Sequence, residues 1–221
     1  MHDDFTLMTR RELIKFAAAT AMIAPLSLRE ALAQTSLKRT PEEIMGPFFP
    51  FGAKPLRGAD LTKGRTGRAQ GQVVHLIGRV LNRAGDPVPG VEVEIWQANT
   101  HGRYTHPKDT NPAPLDPNFN GFALQTTDGQ GRYGFKTIKP GSYPTGVGDW
   151  LRPPHIHFKI SGKKDRLVTQ MYFPGEPLNE RDRIFTQTPQ KEMLVGRALP
   201  PTADLEQGSM LLVWDAVLGR G

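Results

Sequence analysis

The 221-residue chain contains no cysteine. That absence removes disulfides, thiolate zinc sites, iron–sulfur clusters and cysteine nucleophiles together. Apolar runs are short as well. The run from Phe16 to Leu28 spans thirteen residues, whereas a membrane-crossing helix needs roughly twenty, so no membrane span is expected. After residue 34 there is no long helical period and no convincing repeat. The net charge of +6 comes from scattered rather than clustered Lys and Arg, a distribution that speaks against a nucleic-acid partner and suits small anionic substrates.

Turn chemistry is abundant: 23 glycines and 20 prolines, more than average usage but short of low complexity. From Val73 onward short alternating or apolar runs are separated by turn signals, the pattern of an all-β fold built as a β-sandwich. His75–Leu81 reads as the first clear strand, Val91–Ile95 alternates with one face buried and one wet, and further strands are expected at 155–160, 167–173 and 210–217. Between Asn99 and Asn120 the chain is proline-rich and unperiodic, hence a long loop of the kind that is functional or disordered. Three segments are expected: a processed leader over 1–33, an irregular arm over 34–72 that packs over a core, and the sandwich over 73–221.

The leader reads Thr9-Arg10-Arg11-Glu12-Leu13-Ile14-Lys15-Phe16, then the apolar stretch, then Ala31-Leu32-Ala33. Paired arginines, a short apolar region and an A-x-A site, in that order, form a twin-arginine export signal; an ordinary amphipathic first helix is the plainer alternative. Export would place the protein in the periplasm or outside the cell. Because this route carries folded proteins, its use hints at a cofactor loaded beforehand.

Chemistry concentrates in Arg152-Pro153-Pro154-His155-Ile156-His157-Phe158. On a strand, His155 and His157 project from one face and Ile156 from the other. Two imidazoles on one face can chelate a metal, or they are simply solvated or hydrogen-bonded. Of the four tyrosines, Tyr104 and Tyr143 lie in Gly/Pro-rich loops, while Tyr133 and Tyr172 fall within strand patterns and read as packing residues. A phenol ionises near pH 10 and needs a strong Lewis acid to do so at neutral pH. Two imidazoles with two phenolates would make a hard, anionic four-ligand set that favours Fe(III) and leaves positions open for another oxygen donor.

Six motifs in order, Trp96-Gln97-Ala98-Asn99, Gly102-Arg103-Tyr104, Asp116-Pro117-Asn118-Phe119-Asn120-Gly121, Thr137-Ile138-Lys139-Pro140-Gly141, Arg152 to Phe158, and Thr169-Gln170-Met171-Tyr172-Phe173, resemble the intradiol ring-cleavage dioxygenases, most of all their protocatechuate 3,4-dioxygenase β-chain type. The resemblance covers about residues 44–185. It implies a sandwich of transthyretin (prealbumin) topology and a non-haem Fe(III) held by Tyr104, Tyr143, His155 and His157, with Tyr104 equatorial and Tyr143 axial. It further implies Arg152 as the group stabilising charge on a bound diol, Gln170 beside substrate and oxygen, Trp96 in the pocket wall and Ile184 as an apolar pocket residue. The implied reaction joins an aromatic 1,2-diol with O2 to give a cis,cis-muconate in aromatic catabolism. Thr145, implied to lie at the mouth of the substrate pocket, departs from the pattern, standing where the protocatechuate enzymes carry a tryptophan two residues after the axial tyrosine. Catechol, protocatechuate and hydroxyquinol all stay open as substrates, and so does partnership with a second copy or an unlike chain.

Two other readings compete. Gly85-Asp86-Pro87-Val88-Pro89-Gly90-Val91 and Thr127-Asp128-Gly129-Gln130-Gly131 also resemble non-catalytic transthyretin-like modules, and His155 with His157 and a carboxylate such as Asp116 would make a ferrous facial triad. His101 and His106 flank Tyr104 and read as rim or solvent residues. His75 has no evident partner, and Glu180-Arg181-Asp182-Arg183 reads as solvated surface.

Overall fold

The computed structural model describes residues 36–64 and 66–220; the leader over 1–33 lies outside the described residues. In chain order the elements are β1 (Leu56–Arg57), β2 (Val73–Leu81), β3 (Glu92–Trp96), β4 (Phe122–Thr126), β5 (Arg132–Ile138), β6 (Tyr143–Pro144), β7 (Leu151–Arg152), β8 (His155–Ser161), β9 (Arg166–Tyr172), α1 (Arg183–Gln187), β10 (Arg197–Leu199), β11 (Met210–Val213) and β12 (Ala216–Val217). Single 3-10 turns at Asn179–Arg181 and Lys191–Leu194 flank α1. No helix among the described residues is long and apolar enough to cross a membrane.

Two sheets make the sandwich. One runs β1-β4-β3-β8-β9; the other runs β10-β11-β2, with β12 and β5 also on β2, and β6-β7 forms a separate two-stranded ribbon. Period-two alternation sends Val93 and Ile95 of β3, Ile156, Phe158 and Ile160 of β8, and Leu167 and Met171 of β9 inward, against Val74 and Leu76 of β2 and Phe135 of β5. Each large side chain so buried contributes roughly 1.5–3 kcal/mol.

Three expectations change. The run 210–217 is two strands, broken at Trp214–Asp215, because the Trp214 carbonyl accepts from Tyr133 Oη (2.6 Å) and the Asp215 carboxylate takes the Arg79 N–H (2.8 Å) in place of a ladder bond. The outer face of β3 is wet only at Glu92: Glu94 is buried and ion-paired to Lys159, and Phe49 from the arm stacks edge-on against Trp96 at 4.8 Å. The arm is less irregular than expected, since β1 pairs in parallel with β4 and Leu61 enters the main core. The loop over 99–120 carries no strand, but it is ordered by side chains that accept backbone N–H groups: Asn99 from His101 and Arg103, Asp109 from Tyr104 and Asn111, Asp116 from Gln70 and Asn118.

Candidate metal centre

Strand register assembles the centre. On β3, β8 and β9 the pairs Trp96↔His157↔Gln170 and His155↔Tyr172 stand side by side on the outer face of the first sheet. The β6–β7 ribbon then sets Tyr143 opposite Arg152. Loop 99–120 delivers Tyr104, whose ring meets that of Tyr143 edge-on at 5.6 Å. The arm closes over the top: Phe48 packs on Tyr104 at 4.7 Å, and a Cβ on Gly46 would lie 3.2 Å from His157 Cε1. Tyr104, Tyr143, His155 and His157 are all buried. The structure thus brings together the four residues that the resemblance pairs with iron.

The donor atoms converge. His155 Nε2 lies 3.2 Å from His157 Nε2 and 3.5 Å from Tyr143 Oη. His155 Nδ1 donates to the Pro153 carbonyl at 2.7 Å, which leaves the Nε2 lone pair aimed into the cluster. The His157 ring is held flat against Trp96, 4.8 Å away with planes 4° apart. Burial first, then the Arg152 guanidinium, hold both imidazoles well below their usual pKa, so they are neutral and fit to ligate. Burial pushes the Tyr104 phenol well up, with neighbouring Tyr143 adding to it; burial also raises Tyr143, against the opposing pull of Arg152. His157 Nδ1 is buried with no hydrogen-bond partner, and the buried Tyr104 Oη makes no well-formed hydrogen bond, having only the Tyr143 hydroxyl beside it, a costly arrangement for the protein alone. Two neutral imidazoles and two buried phenols that only a strong Lewis acid would ionise fit a trivalent metal such as Fe(III). Among the described residues no group of three His, Asp or Glu could hold a metal. Asp116 instead closes a turn, accepting from Gln70 and Asn118, which counts against the facial-triad reading.

Behind Arg152 lies a polar network that the sequence reading missed. Arg152 donates to Gln170 Oε1 (2.5 Å) and Tyr172 Oη (3.2 Å), and its Nε stands 3.2 Å from Asp182 Oδ1. Asp182 is not solvated surface: it is fully buried, accepts from Trp150 Nε1 at 3.0 Å, and caps α1 through the Phe185 N–H. Nor is Tyr172 only packing, since its hydroxyl donates to Glu43 Oε2 at 2.9 Å, and Glu43 accepts in turn from Thr188 Oγ1. The helix-cap spacing Asp182-x-x-Phe185 was a usable signal for Asp182; Glu43, on the arm, offered none.

Other expected residues sit further out. Thr145 fastens the ribbon, its hydroxyl donating to the Trp150 carbonyl and accepting the Val147 N–H. Ile184, on α1, lines a cavity of about 500 Å³ with Glu43, Ile44 and Thr188. His101 is exposed and bonded to Gln70, and His106 packs on Phe48. His75 does have a partner, Glu206, at 2.6 Å.

Comparison with known proteins agrees with this geometry. A family model described as Dioxygenase matches residues 44–220. The chain is 45% identical over 183 residues to the protocatechuate 3,4-dioxygenase beta chain of Burkholderia cepacia, covering 74% of this chain and 77% of that one. It is 31% identical over 185 residues to catechol 1,2-dioxygenase 1 of Acinetobacter lwoffii, covering 78% of this chain but only 56% of that relative's length. The crystal structure of 3-chlorocatechol 1,2-dioxygenase from Rhodococcus opacus 1CP shares the fold, with a TM-score of 0.67 at 23% identity over 88% of this chain and 78% of that one. The non-catalytic sandwich reading falls with these matches. A fold of two β-sheets, an outer-face cluster of two histidines and two tyrosines, and a match over four-fifths of the sequence have one account between them: the chain belongs to the intradiol ring-cleavage dioxygenases.

Proposed function

We propose that the protein uses Fe(III), held by Tyr104, Tyr143, His155 and His157, to cleave a catechol-type 1,2-diol between its two oxygen-bearing carbons with O2, giving a cis,cis-muconate that retains both oxygen atoms. The observation that carries this reading is the convergence of two neutral imidazole nitrogens, 3.2 Å apart, with two buried phenols. When bound, Fe(III) supplies the Lewis acidity that ionises phenols and diol hydroxyls and makes the aromatic ring reactive towards O2. The protein's own residues do the rest. Tyr143 Oη takes up a diol proton. Arg152, fixed by Gln170 and Asp182, stabilises the negative charge that spreads onto the ring. Phe48, Phe49 and Trp96 keep water from the centre.

The net charge of +6 supports an anionic ring substituent, and the name of the Burkholderia cepacia relative points to protocatechuate. The test is the visible spectrum of iron-loaded protein before and after catechol or protocatechuate is added without oxygen. A tyrosinate-to-Fe(III) band that shifts with the diol, followed by O2 uptake and muconate formation, is expected. Colourless protein that binds no iron overturns the reading. We further propose export by the twin-arginine route, supported by Arg10-Arg11, the apolar run and Ala31-Leu32-Ala33. Changing both arginines to lysine should leave unprocessed protein in the cytoplasm, and normal export of that variant would refute the assignment.

A further inference from the structure

Tyr172 Oη sits between two carboxylates and a guanidinium. It lies 2.9 Å from Glu43 Oε2, 3.2 Å from Asp182 Oδ2 and 3.2 Å from Arg152 NH2. The phenol has one proton and cannot serve both carboxylates at once. We infer that Glu43 is a positioning residue for Arg152, acting through the direction in which the Tyr172 hydroxyl points; the inference rests on the dioxygenase reading of Arg152.

With Glu43 ionised, the Tyr172 proton goes to Glu43, the phenol oxygen is free to accept from Arg152, and the Asp182 carboxylate faces Arg152 without sharing itself with Tyr172. With Glu43 protonated, its O–H donates to Tyr172 Oη, the Tyr172 proton turns to Asp182, and Arg152 competes for the phenol oxygen. The guanidinium is held most firmly in the ionised state, and a preorganised charge is what stabilises a transition state. Burial is the main force that lifts the Glu43 carboxyl, up to about 7; Asp182 adds to it, while hydrogen bonds from Thr188 and Tyr172 and the charge of Arg152 oppose it. The remaining charged groups at its cavity are Arg39 and Glu42, which pair with each other, Arg39 also pairing with Asp165. The cavity, about 500 Å³, is lined by Glu43 and by none of the four clustered residues.

The sign follows directly: kcat rises as pH climbs through about 7 and Glu43 loses its proton. In the iron-loaded full chain with saturating catechol, we expect kcat to grow about tenfold across that limb while KM changes little. Glu43→Gln, which cannot ionise, should be flat near the low-pH level, and Glu43→Asp should restore part of the limb. A Glu43→Gln enzyme that keeps the wild-type limb overturns the inference. Infrared difference spectra of the metal-free protein give a second readout: a protonated-carboxyl band that disappears as pH rises through about 7 in the wild type and is missing in Glu43→Gln. Absence of such a band in the wild type overturns the inference even if the Gln variant fails to fold. A wild type that shows the band yet turns over no diol at any pH sinks the dioxygenase reading, and with it the role given to Arg152.

Discussion

Replacing Tyr104 by Phe should weaken iron binding by at least about a hundredfold and abolish most turnover while making the metal-free protein slightly more stable. The two halves have one cause. Tyr104 Oη is buried and makes no well-formed hydrogen bond, with only the Tyr143 hydroxyl beside it, so without metal the protein carries a poorly satisfied hydroxyl that costs about 1 kcal/mol. Phe removes the oxygen and keeps the ring contacts with Phe48 and Tyr143. Tyr133→Phe is the contrast. Its hydroxyl donates to the Trp214 carbonyl at 2.6 Å, far from the cluster, so that variant should lose about 1 kcal/mol with or without metal and keep its iron. Melting curves of both variants, metal-free and loaded, read the difference. A Tyr104→Phe protein with full iron content and normal turnover would contradict the ligand assignment.

What the sequence made legible was whatever obeys a local period. Two histidines two residues apart on a strand must share a face, and they do, with Ile156 turned into the core. The sandwich followed from alternation and turn spacing, and β2, β3, β8 and β9 lie within a residue or two of the strands expected there; Trp214 and Asp215 interrupt the last expected run, and β4 and β10 carried no signal strong enough to be named. Tyr104 and Tyr143 stood out because neither sat where a packing tyrosine belongs. The rest depended on contacts between distant segments that carry no local signature. Asp182 reads as one charge in a charged run and is buried because Arg152, thirty positions earlier, needs a counter-ion. Glu94 reads as the wet half of an alternating strand and is covered because an arm from before the sandwich lays Phe49 across Trp96. Glu43 meets Tyr172 for the same reason, the arm being pinned along β9 by the bond from its N–H to the Val168 carbonyl.

The loops that carry the two tyrosines converge through two facing glycines, Gly102 and Gly141, and Gly102→Ala should separate them. Gly102 has φ +76°, and an added Cβ would lie 2.2 Å from the carbonyl oxygen of Ser142, the residue before Tyr143. That oxygen belongs to the backbone and has no rotamer by which to retreat. Both loops are tied at this level to the Asn99 carbonyl, which accepts from Gly102 N (3.0 Å) and Gly141 N (2.9 Å), so relieving the clash breaks the tie that sets Tyr104 against Tyr143. Left-handed strain and overpacking together should cost about 3 kcal/mol, a fall of about 10 °C in Tm for a unit of this size. Gly90→Ala isolates the strain: φ is +71° there, and nothing lies within 4 Å of the added Cβ. That variant should lose only about 1 kcal/mol and retain its iron, whereas Gly102→Ala should lose iron even at temperatures where circular dichroism shows the sandwich intact. Equal iron content in the two variants would mean that the tyrosines reach the centre without the close approach of their loops.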